Sequence, residues 1–255
     1  MELFKSLKNS FFNSLFIFIL VNFTFGQEAK LLQAVYNGSE YEFGYQCIPE
    51  IEIKGAPQDV DWSNWSILHD GENYRLYFMP VGKKDRLYQF GYNPQTEKYE
   101  YAFNSIPVIR IKRIPKDADV SNFSILFDGE FYRLYLKSST SYSLYQFAFK
   151  RSLFGRGSYV YGYKSISKIE ILNAPEDINW KNWTMLHDRQ VYRLYFKSKK
   201  EENKLIQFGF DGIAYNYGFK SSPSINIIGF PETNYKFNIL HDGDKYRYYN
   251  LIKSK

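Results

Sequence analysis

From Lys30 onward the apolar residues of the chain fall at every second position, in short runs separated by Gly, Asn, Asp, Ser and Pro. A period of two is the pattern of strands that present one face to a core. No stretch carries apolar residues at the three-and-four spacing of an amphipathic helix.

The runs repeat. DWSNWSILHDGENYRLYF (61–78) returns as VSNFSILFDGEFYRLYL (120–136), WKNWTMLHDRQVYRLYF (180–196) and YKFNILHDGDKYRYYN (235–250). Asp-Gly between two alternating runs predicts a hairpin, because Gly accepts the positive φ of a tight turn. Arg189 replaces that Gly in the third copy, so its turn is expected to be built differently. The aspartates Asp70, Asp128, Asp188 and Asp242 lie 58, 60 and 54 residues apart. Such a period marks a repeat architecture.

Each hairpin is followed by a third run, RLYQFGY (86–92), SLYQFAF (143–149) or KLIQFGF (204–210). A fourth comes next, YEYAFNSIPVIRI (99–111), YVYGYKSISKIEI (159–171) or YNYGFKSSPSINI (215–227). In it a small residue, Ala102, Gly162 or Gly218, lies opposite the bulky face, which suits a sheet that stacks on a copy of itself. The chain opens with KLLQAVYN (30–37) and YEFGYQCIPEIEI (41–53), which match the third and fourth runs. It stops after the first and second. Two half-units that add to a whole are what closure of a ring requires, whereas a solenoid would carry distinct end caps. The expected fold is therefore all-β: a four-bladed β-propeller with four antiparallel strands per blade and one blade shared between the termini. Its units are 30–62 plus 235–255, 63–122, 123–182 and 183–234, in a single domain spanning 27–255.

In APQDVDWSNWSILHDGENYRLYF (56–78) and IPKDADVSNFSILFDGEFYRLYL (114–136), Pro and Asp precede an apolar strand, then Gly-x-x-Tyr and an aromatic/Arg run. This order resembles hemopexin repeats, over the hairpin part of each unit. The repeat is longer than in that family, and no cysteine pair links the first and last blades. The resemblance implies a binding role toward proteins, haem, polyamines or sugars, without choosing among them.

Lys5 and Lys8 precede an apolar run from Phe11 to Phe25, and Thr24 and Gly26 supply small residues before QEAK. Residues 1–26 thus have the form of a secretory signal, too short and too interrupted for a membrane span. A secreted, periplasmic or cell-surface protein is expected, without an integral membrane segment after signal removal. Cys47 is the only cysteine, so no intramolecular disulfide is available, and a small core role is expected of it. The net charge of +6 is dispersed, and the densest basic run, KSKKEENK (197–204), includes acids. No base-reading basic stripe marks a nucleic-acid partner.

The three histidines, His69, His187 and His241, share one repeat position, with Phe127 in the fourth. If that position faces the central channel, the imidazoles converge as in a three-His metal site; if it faces a seam, they are packed within blades. Arg75, Arg133, Arg193 and Arg247 each follow the repeat aspartate by five residues. Fourfold recurrence favours a structural pair, and a ligand role would grip carboxylate or sulfate groups. Trp65, Phe123, Trp183 and Phe237 suit packing between blades. Trp62 and Trp180, with Asp61, are the candidates for stacking on and hydrogen-bonding a sugar, since Val120 replaces the Trp in the second copy. No nucleophile elbow, phosphate loop or metalloprotease motif occurs.

The chemistry these residues offer is recognition: a secreted, non-catalytic, lectin-like carbohydrate-binding module, needing no cofactor unless a metal ion sits in the channel. Alternatives are a protein-interaction scaffold in an envelope or extracellular assembly, with a cell-surface protein as partner, and a glycan-acting enzyme.

Overall fold

The computed structural model describes residues 27–152, 157–231 and 236–253; the expected signal segment, 1–26, lies outside them. All regular structure among these residues is strand. The first three strands, β1 (Gln27–Tyr36), β2 (Tyr41–Phe43) and β3 (Glu50–Ala56), finish a unit whose beginning lies at the other end of the chain. A complete unit follows: β4 (Val60–His69), β5 (Tyr74–Pro80), β6 (Arg86–Asn93), β7 (Lys98–Tyr101) and β8 (Val108–Lys112). The next comprises β9 (Ala118–Phe127), β10 (Tyr132–Ser138), β11 (Ser143–Arg151), β12 (Gly157–Tyr161) and β13 (Lys168–Leu172). The fourth is β14 (Ile178–His187), β15 (Tyr192–Ser198), β16 (Lys204–Phe210), β17 (Tyr215–Tyr217) and β18 (Ser224–Ile228). Two last strands, β19 (Asn238–His241) and β20 (Tyr246–Lys253), supply the missing hairpin.

Each unit therefore has five strands, not four. The run read as one fourth strand is broken in two, and both pieces pair with the third strand of the unit: β6 pairs β7 at Phe90–Tyr101 and β8 at Leu87–Ile109. The break starts at Ala102, Gly162, Gly218 and, in the split unit, Gly44, at φ of 62°, 68°, 68° and 70°. Two residues on, Asn104, Lys164, Lys220 and Gln46 are also left-handed, at φ of 43°, 42°, 45° and 47°. The small residue thus serves a backbone turn-out that a larger side chain enters only with strain. It is not there to let sheets stack.

The ends of the chain meet as the repeat pattern requires. β1 lies antiparallel to β20, with Leu31 opposite Leu251 and Gln33 opposite Tyr249. Neighbouring units are also hydrogen-bonded at the periphery. β3 runs parallel to β7, β8 to β12, β13 to β17 and β18 to β2. Through these pairs the outer three strands of every unit form one closed circuit of strands. The first strands β4, β9, β14 and β19 touch in cyclic order around a common centre.

The core lies between units, not within them. One cluster joins Leu31, Ile53 and Leu251 of the split unit to Trp65, Leu76 and Phe78 of the next. Three further clusters fill the other seams in the same way, around Phe123, Trp183 and Phe237. Each of these three aromatics, like Trp65, is fully buried. A unit alone leaves its apolar faces in water, so closing the ring is what makes them a core.

Candidate functional site

The Asp-Gly hairpin turns all point to one end of the ring. In each turn the aspartate accepts the amides two and three residues on; Asp70 accepts those of Glu72 and Asn73. Its other oxygen accepts Arg75 Nε at 2.9 Å and the hydroxyl of Tyr132, from the next unit, at 3.0 Å. The pattern is cyclic. Asp128 takes Arg133 and Tyr192, Asp188 takes Arg193 and Tyr246, and Asp242 takes Arg247 and Tyr74. Four Tyr–Asp bonds therefore link each unit to its neighbour in a closed belt. Burial pushes these carboxyls up, but the bonds from arginine, tyrosine and backbone outweigh it and hold each below its ordinary value.

The histidines converge. His69, His187, His241 and Phe127 line one cavity of about 290 Å³ at the mouth of the central axis, with three of the belt aspartates and Arg189. Each ring packs on the belt tyrosine of its own hairpin: His69–Tyr74 at 4.4 Å, Phe127–Tyr132 at 4.9 Å, His187–Tyr192 at 4.4 Å and His241–Tyr246 at 4.5 Å. Burial lowers the proton affinity of all three imidazoles. Among the described residues no three His, Cys, Asp or Glu side chains are grouped to hold a metal ion. Below the mouth the axis narrows to a void of about 10 Å³ between Ile67, Ile125, Met185 and Ile239, at the lower limit for one water.

Deeper on the axis lies a polar layer, all of it buried: Ser66, Ser124, Thr184 and Asn238. Ser66 accepts Ile125 N, Ser124 accepts Met185 N, Thr184 donates to Asn238, and Asn238 donates to Trp65 O. The repeat's Asn-x-Ser/Thr positions, Asn64, Asn122 and Asn182, come one layer further on. Asn64 and Asn122 are buried, and their amides donate to the backbone of the following unit. The fourth place in that layer holds Lys236, whose ammonium donates to Phe123 O of the opposite unit and lies over the Phe123 ring. Burial holds this lysine well below its ordinary pKa.

Three clefts open at the seams. The first, about 360 Å³, has Arg75, Tyr77, Gln89 and Ser105 on one side and Tyr132, Phe149, Arg151 and Tyr159 on the other. The second, about 260 Å³, sets Gln33, Cys47, Arg247 and Tyr249 against Tyr74, Tyr92 and Tyr99. The third, about 160 Å³, sets Arg193, Tyr195, Gln207 and Ser222 against Tyr36, Tyr41 and Tyr246. The plan is the same in each: an arginine, a glutamine and the turn-out of the broken strand face aromatic rings of the next unit. The arginine is fixed by the belt aspartate and by a second bond from Nη1 to the left-handed residue, 3.1 Å to Asn104 O and 3.0 Å to Lys220 O; Arg133 bonds Lys164 O likewise. The glutamine is held too: Gln89 donates to Tyr77 Oη and accepts Ile106 N. Among the described residues no Asp or Glu side chain lines any of the three clefts.

Of the arginines named from the sequence, Arg75, Arg193 and Arg247 thus sit both in the belt and at the clefts, and Arg133 in the belt. The tryptophans do not meet them. Trp62 is 6% exposed and packs on Phe78 at 5.0 Å, so the display expected of it is not found. Trp180 packs on Phe196 and stacks on the exposed Tyr142 at 4.5 Å. Asp61 is bound locally by Ser63 N and Oγ across a bulge in β4. Cys47 is half-buried at the second cleft, bonded to Gln33 O, and is not a core residue. Gln33, Gln89, Gln146 and Gln207 were not singled out in the sequence. Their recurrence at one place of the third run, followed by Phe in three of the four copies, was the available signal.

No family model matches the chain, and no curated protein matches it. Among solved structures it is similar to AofleA from Arthrobotrys oligospora, with TM-score 0.38 and 12% identity over 74% of this chain and 50% of that one. It is similar to SapL1 lectin, solved in complex with α-methyl fucoside, with TM-score 0.33 and 11% identity over 75% of this chain and 62% of that one. A candidate 6-phosphogluconolactonase from Bacteroides fragilis gives TM-score 0.31 and 11% identity over 83% and 60%. The chain spans between half and just under two thirds of these neighbours' lengths. Likenesses this distant assign neither a ligand nor an activity.

Proposed function

We propose that the protein is a four-bladed β-propeller that binds carbohydrate, as a secreted or cell-surface lectin-like module, in the clefts between adjacent blades. The observation that carries this reading is the repetition of one cleft plan at three seams: a fixed guanidinium and a glutamine on one wall, aromatic rings on the other. Sugar rings offer hydroxyls to such donors and apolar C–H faces to such rings. Pre-fixed donors lose little conformational entropy on binding. Repetition around a ring suits a multivalent glycan surface, where weak sites combine into avidity. The binding surface moves, in this reading, from the entrance of the first strand to the seams.

The test is a glycan array on the full chain, followed by alkylation of Cys47, which lies in the second cleft and is the only thiol. A bound glycan is expected to slow Cys47 alkylation, and Arg151→Ala to weaken binding at the first cleft. Silence across the array, or a hit that leaves Cys47 alkylation unchanged and is indifferent to Arg151→Ala, would sink the reading.

A further inference from the structure

The four turns above the axial mouth follow one plan in three units and another in the fourth. Gly71, Gly129 and Gly243 come after their aspartates at φ of 96°, 96° and 99°, values that glycine adopts freely. Arg189 holds the same place at φ 71°, where a residue with a Cβ is strained. Its guanidinium reaches across to the next turn: a Cβ built on Gly243 would collide with it. Its charge also bears on both His69 and His241. Among the described residues Arg189 has no ion-pair partner.

The lining below it offers donors rather than free negative charge. The mouth aspartates Asp70, Asp128 and Asp242 are each occupied by an arginine Nε, a tyrosine hydroxyl and turn amides. The three imidazoles stand beside them. Glu72, Glu130 and Asp244 follow in three of the turns, outside the lining, and Gln190 takes their place next to Arg189. A strained residue that carries an unpaired charge over a concave, donor-bearing mouth points to a negative ligand.

We propose that the axial mouth is an oxyanion site: a sulfate or phosphate group, free or as the terminal ester of a larger ligand, held by Arg189 and by the imidazole N–H groups of His69, His187 and His241. The cavity of about 290 Å³ admits such a group with a substituent pointing outward, and the narrowing beneath it stops the anion from passing down the axis. Phe127 fills the fourth side. The acids on the neighbouring turns make the site weak and sensitive to salt. This inference is independent of the seam clefts and stands or falls without them.

The chain has three histidines, all at this mouth, so every imidazole NMR signal reports on it without assignment. Full-length protein is titrated at constant ionic strength with inorganic phosphate, with glucose 6-sulfate and with glucose. Saturable imidazole shifts with phosphate are expected, and none with glucose. Shifts with the sulfate ester as well identify an esterified ligand as acceptable; shifts with phosphate alone restrict the site to the free ion. Arg189→Gly restores the turn of the other units, so it is expected to melt no lower than wild type while binding about tenfold or more weakly, the worth of a charge-assisted hydrogen bond. His187→Phe, which copies the Phe127 position, is the second variant and is expected to fold and to bind more weakly. Absence of saturable shifts with either anion, or unaltered phosphate binding by both variants, overturns the proposal.

Discussion

Tyr132→Phe removes one hydroxyl and tests whether the Tyr–Asp belt holds neighbouring units together. The hydroxyl donates to Asp70 Oδ2 at 3.0 Å. That carboxylate is 5% exposed and keeps its bonds to Arg75 Nε, Glu72 N and Asn73 N. A hydrogen bond to a charged group contributes about 1.5–3 kcal/mol. Tyr132 is only half-buried, so water replaces part of the loss, and about 1 kcal/mol is expected. For a domain of this size that is a fall in Tm of about 2–4 °C. The four bonds share no partner and lie in four different seams, so the changes should add. Replacing Tyr74, Tyr132, Tyr192 and Tyr246 together by Phe should then cost about 4 kcal/mol, read as a shift of the urea midpoint at unchanged slope. The Phe rings preserve the packing on His69, Phe127, His187 and His241, so the loss isolates the hydroxyls. A quadruple variant within 1 kcal/mol of wild type would show the belt to be incidental geometry. A loss well beyond the sum would mean that the ring opens cooperatively.

Other expectations follow from the same contacts. Asp128→Ala leaves Arg133 half-buried without its carboxylate and should cost about 3 kcal/mol, more than Tyr192→Phe; equilibrium unfolding compares the two. The belt aspartates have depressed pKa values when folded, so their stabilisation is complete above the unfolded value near 4 and is lost as pH falls through the folded values. Acid unfolding should therefore begin below about pH 4, and Asp128→Asn should flatten that limb. Lys236 gives a slope of the same sign, but as a penalty that is relieved rather than a stabilisation that is gained. Its folded pKa is lowered by burial, so the unfolded chain binds more protons there. Wild type should gain stability over Lys236→Met as pH rises from the depressed value toward about 10.4; denaturation midpoints that run parallel across this range would refute it. Deleting residues 236–255 removes the buried Tyr248, Tyr249 and Leu251 and opens two seams. At about 2 kcal/mol per side chain this approaches the whole stability of a domain, so no cooperative unfolding transition should survive in circular dichroism.

Much of the architecture is written in the period of the chain. The alternation placed strands, Asp-Gly placed three of the four hairpin turns, and two half-units at the termini foretold the pairing of β1 with β20. These features depend on residues close in sequence, or on identical copies whose partners are each other. The fivefold strand count was missed because YEYAFNSIPVIRI alternates without a break. Only the left-handed backbone at Ala102 and Asn104 shows that the middle of it leaves the sheet. The small residue there had two physical readings, stacking or φ, and local sequence does not separate them.

The site divides along the same line. The sequence by itself determined which residues recur, and recurrence marked the Asp–Arg pairs as structural and the His and Trp positions as places where the copies differ. It could not say which residues meet across a seam. Trp62 looked displayed because Val120 replaces it, yet Phe78 covers it. Arg75 read first as structural, with a ligand role left open, and it forms both a belt pair and one wall of a cleft whose other wall is Tyr132 and Tyr159 of the next unit. Whether three histidines converge depends on the rotation of a strand about its own axis, and that rotation is set by what packs on both faces. Alternation fixes which residues share a face. Only closure of the ring decides what that face meets, because half of every seam, cleft and belt bond comes from a different copy of the repeat.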